Sequence, residues 1–234
     1  DLVRSRGLGD VYKRQLFGSA SIGVYSLVTD RMVIVPPQAS KTKAQKLEEW
    51  FRTKAVVTTI GESVLIGALA CANSNGIVLP HFTQEGEIDA IKSALDINNT
   101  VMETKKTAYG NLILANDYGA VIHLGLRRED MTKIEDTLGV EAVPAEIAGL
   151  PYVGSLATAT NKGVLAHPLL RDEEQKVLKD VLKVPVDVGT VNCGIPYVAT
   201  GLIGNKYGAV AGFMTTGPEM FIIGQALDVV RENE

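Results

Sequence analysis

The sequence predicts an α/β fold, a pseudo-fivefold propeller of five β/α units of about 44 residues each, closed into a ring. Three observations predict it. A turn phrase returns at a nearly constant step: "ANSNGIVLP" around Gly76, "ANDYGAVIH" around Gly119, "ATNKGVLAH" around Gly163 and "GNKYGAVAG" around Gly208, at steps of 43, 44 and 45 residues, preceded by a degenerate copy, "VTDRMVIVP". Nine residues upstream of each turn, Gly23, Gly67, Gly110, Gly154 and Ala199 fall into register. Downstream, Leu47, Ile91, Ile134, Leu178 and Ile223 are each followed four residues later by Phe51, Leu95, Leu138, Leu182 and Leu227, the spacing of a buried helical stripe.

Each unit opens with a short apolar segment, Ala68 to Ala72 in the second copy, followed by Asn or Thr, a polar residue and Gly. This predicts a β-hairpin whose Gly supplies a positive φ. The second strand ("GIVL", "GAVI", "GVLA", "GAVA") is apolar at successive positions, which predicts cover on both faces. Acid-rich stretches then open a helix: "TQEGEIDAIKSAL", "REDMTKIEDTL", "RDEEQKVLKDVL" and, with an early Pro218, "TGPEMFIIGQAL". Acids suit the unpaired N–H groups and positive dipole end of a helix start. A third strand follows in "TVMETKK", "VEAVPAEI" and "VPVDVGTV", but the fifth helix runs into "DVVRENE". Ring closure therefore needs a strand from the N-terminus, around residues 9 to 16.

That region reads "GDVYKRQL", and the opening "DLVRSRGLGDVYKRQ" carries none of the repeat's apolar pattern. It resembles translated sequencing-adapter tails. Residues 1–15 are expected to be a non-native tail in which "VYKRQ" is recruited as the closing strand. Residues 16–234 are expected to form one domain, with repeats near 19–62, 63–106, 107–150, 151–194 and 195–234.

With 46% hydrophobic and 21% charged residues, the composition is that of an ordinary globular protein. The net charge of -4 excludes a generic attraction for nucleic acid phosphates, so no direct DNA binding is expected. No apolar run approaches a membrane span or a signal-peptide core, and a cytoplasmic protein is expected. Cys71 and Cys193 lack C-x-x-C spacing or metal-ligand company, so free thiols are expected, with no metal and no cofactor. His123 and His167 occupy one repeat position, four after the turn Gly; a catalytic residue is seldom duplicated in a symmetric set, and both read as structural. Cys193 in "GTVNCGIPY" passes the minimum test for a thiol nucleophile, with His167 as a conceivable partner, but a free turn cysteine is the better reading. The basic cluster "KTKAQK" reads as a solvated face.

The phrases "GNLILANDYGA", "VGSLATATNKGVLAHP", "VPVDVGTVNCG" and "TTGPEMFIIGQAL" resemble the archaeal translation initiation factor 6 family, in register from about residue 17 to 230. The resemblance implies a pentein fold, five β/α units around a pseudo-fivefold axis, and no catalysis. It implies a monomer that binds the large ribosomal subunit, chiefly a ribosomal protein beside the sarcin-ricin loop. Bound there, such a factor blocks the small subunit and serves large-subunit biogenesis. It implies release by other factors, among them an elongation factor 2-like GTPase and a Shwachman-Diamond protein. Carried over residue by residue, the ribosome-binding positions are Asn111, Asp117, Leu156 and Tyr197, while Ala68 departs from the Arg of eukaryotic members. The alternative is a pentein guanidine-modifying enzyme of the amidinotransferase or deiminase type, with a Cys nucleophile.

Overall fold

After β1 (Val11–Arg14), the computed structural model runs four times through one order of elements, a single helical turn, two antiparallel strands, a longer helix, and a strand parallel to the second, and a fifth time as far as the longer helix. The first unit comprises α1 (Ile22–Tyr25), β2 (Leu27–Val28), β3 (Met32–Val35), α2 (Lys41–Phe51) and β4 (Lys54–Val57). The second comprises α3 (Ile66–Leu69), β5 (Cys71–Ala72), β6 (Gly76–Pro80), α4 (Glu85–Ala94) and β7 (Asn98–Met102). The third comprises α5 (Tyr109–Leu112), β8 (Ile113–Ala115), β9 (Ala120–Ile122), α6 (Arg128–Leu138) and β10 (Ala142–Pro144). The fourth comprises α7 (Val153–Leu156), β11 (Ala157–Ala159), β12 (Val164–Ala166), α8 (Asp172–Leu182) and β13 (Val186–Val188). The fifth comprises α9 (Val198–Gly201), β14 (Leu202–Asn205), β15 (Gly208–Gly212) and α10 (Gly217–Ala226).

The fifth sheet is completed by β1, which pairs in parallel with β15 from Val11↔Ala209 to Arg14↔Gly212. The recruited "VYKRQ" strand is thus present over Val11–Arg14, with Gln15 just past its end; the structure describes residues 11–229, and residues 1–10 of the expected tail lie outside them. The middle strands β3, β6, β9, β12 and β15 are buried along their whole length, as their unbroken apolar runs require. Five apolar cores lie between neighbouring units rather than one at the centre. Met102 of the second unit, for example, shares a core with Tyr109, Ile122 and Leu138 of the third. No described helix is long and apolar enough to cross a membrane.

Two expectations are corrected. The apolar segment ahead of each turn begins as a helical turn, so that Ile66–Leu69 is helical and only Cys71–Ala72 is strand. These five turns form a continuous ring, α1 beside α3, α3 beside α5, α5 beside α7, α7 beside α9, and α9 beside α1. Their register glycines are demanded by close approach. A Cβ on Gly67 would sit 1.9 Å from the Gly23 carbonyl oxygen, and one on Gly110 would sit 1.9 Å from that of Gly67. Added to a C–C bond of about 1.5 Å, that leaves Cα and oxygen no more than about 3.4 Å apart, the range of Cα–H···O contacts.

The second correction concerns the turn glycines. Gly76, Gly119 and Gly163 are not at positive φ. They are needed because a Cβ there would lie 2.0, 2.2 and 1.8 Å from the carbonyl oxygens of Thr137, Val181 and Ala226, at the end of the next unit's helix. The glycine spacing is therefore a record of contacts between units.

Candidate functional site

Each hairpin has its single helical turn at one end and its β-turn at the other. At the turn end, the Asn that opens each β-turn does two jobs. Asn116 Oδ1 accepts from the N–H groups of Tyr118 and Gly119, while its amide donates to the carbonyls of Thr160 and Leu182 in the next unit (3.1 and 2.8 Å). Asn73 and Asn205 repeat this toward the third and first units. Where the residue is Thr29 or Thr160, a lysine takes over: Lys54 Nζ donates to the Ala94 carbonyl and Lys162 Nζ to that of Asp228.

The following position forms a polar lock. Asp117 accepts from the Ser74 N–H and hydroxyl (2.8 and 2.7 Å) and from the Asn161 amide (2.6 Å). The same amide donates to Asp30 (2.8 Å), which also accepts from the Lys206 N–H and pairs with its ammonium at 3.4 Å. Asp117 is therefore committed to other turns of its own ring, a role invisible in its local sequence.

The helix-ring end is open. A cavity of about 110 Å³ sits on the axis, lined by all five units, with Asn111 and Ser155 among its residues. Asn111 lies on α5, and its amide makes no hydrogen bond among the described residues, unlike the locally satisfied asparagines of the turn end. Tyr197 precedes α9 and is 45% exposed, whereas Leu156, in α7, has no exposed surface and belongs to a core. Asn111 and Tyr197 thus share one end, Asp117 stands at the other, and Leu156 reaches a partner only through the residues it supports.

The loops around this end are held by carboxylates. Glu87, Glu174 and Glu219, in the first turns of α4, α8 and α10, accept the N–H groups of Gly61 and Glu62, of Ala148 and Gly149, and of Cys193 and Gly194. Burial pushes each carboxyl upward, and these donors, with the helix-start N–H, overcome it. Glu219 is held at about 2. In the third unit the equivalent Asp130 instead takes a bidentate pair with Arg127.

Both loop histidines have structural roles. His123 Nδ1 accepts the Gly125 N–H and its ring meets Tyr152; His167 Nδ1 accepts the Leu169 N–H and its ring meets Tyr197. Cys193 is exposed on its turn, its N–H engaged by Glu219, with no hydrogen bond to His167 among the described residues. The thiol that lines the axial cavity is Cys71, which burial pushes up to about 12, so it stays protonated. Among the described residues no group of three His, Cys, Asp or Glu is placed to hold a metal.

Apart from Tyr197, sequence reasoning missed the apolar rim of this end. Tyr152, Leu169, Ile195, Tyr197, Phe213 and Met214 are all exposed on loops that follow the middle and third strands, Leu169 at 73%. The available signal was the apolar residue just past each strand end, as in "HPLL" and "GFM", where loops are ordinarily polar.

A ring of five β/α units with one locked and one open end defines a pentein. The model of the eIF-6 family matches residues 11–226. Similar relatives, each named translation initiation factor 6, include those of Methanocaldococcus jannaschii (41% identical, covering 94% of this chain and 99% of the relative), Pyrococcus horikoshii (41%; 91% and 96%) and Staphylothermus marinus (37%; 93% and 97%). A solved agmatine deiminase of C. jejuni overlaps 53% of this chain and 50% of its own at 12% identity and a TM-score of 0.35, too slight a likeness to bear on activity. The chain belongs to the eIF-6 family.

Proposed function

We propose that this chain acts by obstruction: it binds the large ribosomal subunit through its helix-ring end and denies the small subunit its docking face. The observation that carries this reading is the unpartnered Asn111 amide lining the axial cavity, at the end of the ring whose loops expose aromatic and aliphatic side chains. Apolar anchors around a polar group that awaits a partner are the makings of a protein interface. A net charge of -4 suits a basic ribosomal protein, such as one beside the sarcin-ricin loop. Obstruction needs a stiff body, which the locked turns supply, and no chemistry. In this reading the protein works in the cytoplasm as a monomer and escorts large subunits during biogenesis. An elongation factor 2-like GTPase and a Shwachman-Diamond protein drive its release.

Co-sedimentation with purified archaeal large subunits tests the reading. The wild-type chain is expected to pellet with them and to suppress subunit joining in light scattering. Asn111→Trp is expected to weaken binding about tenfold or more with an unchanged circular dichroism spectrum. Wild-type protein that stays in the supernatant would sink the proposal.

A further inference from the structure

The closing seam of the ring carries a second feature. Between β1 and α2 lies a cleft of about 30 Å³, floored by Leu16, Ile22 and Val210, walled by Trp50 and rimmed by Arg14, Lys43 and Lys46. No acid lines it, and none of the three cations forms an ion pair among the described residues. The hydrogen bonds they make go to backbone carbonyls, Arg14 to Lys13 and Lys43 to Gln15. The other four units supply an internal control. The position of Lys43 is Glu87, Asp130, Glu174 and Glu219 in them, each accepting hydrogen bonds. Arg14 lies over the Trp50 ring at 4.3 Å, and Tyr12 stacks on that ring at the same distance.

Converging, unneutralised cations repel one another, and the repeat's own pattern offers a cheaper acid. We propose that this cleft, through Lys43 and Lys46 of the repeat rather than Arg14 of the adapter-like strand, is a contact for the phosphate backbone of RNA. The assignment to RNA rests on the ribosome reading above. A ribosomal subunit presents basic protein and phosphate, and a basic cleft on an acidic body fits the second. The cleft opens beside the turn Leu16–Ser19 and the start of α2, at the same end of the ring as Asn111, so both surfaces can face one particle.

Trp50 is the sole tryptophan and reports on the cleft. A short single-stranded oligouridylate is titrated against the full chain, with polyglutamate as the competing polyanion. RNA is expected to change Trp50 fluorescence and polyglutamate to leave it unchanged. The double variant Lys43→Glu/Lys46→Glu is expected to bind RNA about tenfold or more weakly, with the slope of log affinity against log salt shallower by about 1.4, roughly 0.7 per lost contact. Lys43→Glu restores the acid that neighbouring units carry at that position, so a thermal midpoint no lower than wild type is expected alongside. Equal RNA affinity of wild type and double variant, absence of RNA binding, or polyglutamate binding as tightly as RNA would each overturn the proposal. Asn111→Trp, its oligouridylate binding followed by filter retention because it adds a second tryptophan, separates the two readings, since it should keep oligouridylate binding while losing the subunit. Wild-type protein that binds oligouridylate but never the subunit upholds the cleft and removes the ribosome.

Discussion

Gly110 and Asp117 sit seven residues apart and hold the two ends of one joint. At Gly110 a methyl group would enter the Gly67 carbonyl, which is backbone and cannot step aside. Gly110→Ala is expected to cost about 3 kcal/mol, the upper range for overpacking, measured as a lowered urea midpoint. Ala199 already carries a methyl at the equivalent place, so the α7–α9 joint is built wider and Ala199→Gly should cost no more than about 1 kcal/mol. Removing Asp117 strands the Ser74 N–H and hydroxyl and leaves the Asn161 amide with Asp30 alone, and Asp117→Ala is expected to lose about 2–3 kcal/mol. If Asp117 acts through the fold, its loss of subunit binding should recover on cooling below the unfolding transition. Asn111→Trp should not recover. The sequence placed these residues in register but could not tell a surface aspartate from an axial one, because the partners of Asp117 lie 43 and 44 residues away.

The longer helices were legible because their acidic starts do local work: Glu219 caps α10 in a box with Thr216 while reaching back to the turn at Cys193. Its carboxyl lies at about 2, below an ordinary 4.5. A depressed acid stabilises the fold fully above its unfolded value, and that contribution fades as the pH falls through the folded one. Glu87 and Glu174 shift the same way. The thermal midpoint is therefore expected to fall between pH 4.5 and about 2, and Glu219→Gln should flatten that fall while lowering stability by about 2 kcal/mol at neutral pH. A wild-type profile level across this range would remove the latch. The single helical turns were not legible. Ile66–Leu69 runs into Cys71–Ala72 as one short apolar stretch, and periodicity cannot divide so brief a run. Its helical shape answers to carbonyls of the preceding unit.

For the whole molecule, the repeat announced five units and the need for a strand from the other end of the chain; the structure supplies that strand, with Tyr12 and Arg14 on Trp50 to hold it. The open end was legible only through family resemblance, since rim residues such as Leu169 and Met214 are scattered across units and meet only after closure. Deleting residues 1–14 should leave β15 with a bare edge. Amide exchange is expected to accelerate over Ala209–Gly212, with a lower melting temperature and no change of helix content. Protection that survives the deletion would show that β1 is dispensable.

Completion of the last sheet by the first strand has a further consequence, because a circle has no privileged origin. Four of the sheets are stitched by unbroken chain and the fifth by docking, so the place of the break is a matter of gene order rather than of architecture. A circular permutant that fuses the present ends and starts anew in the loop between α4 and β7 should fold to the same disc, its fifth sheet now continuous and its second one docked. Failure of that rearranged chain to fold would mean that the order of assembly, not the finished circle, chooses where the polypeptide begins.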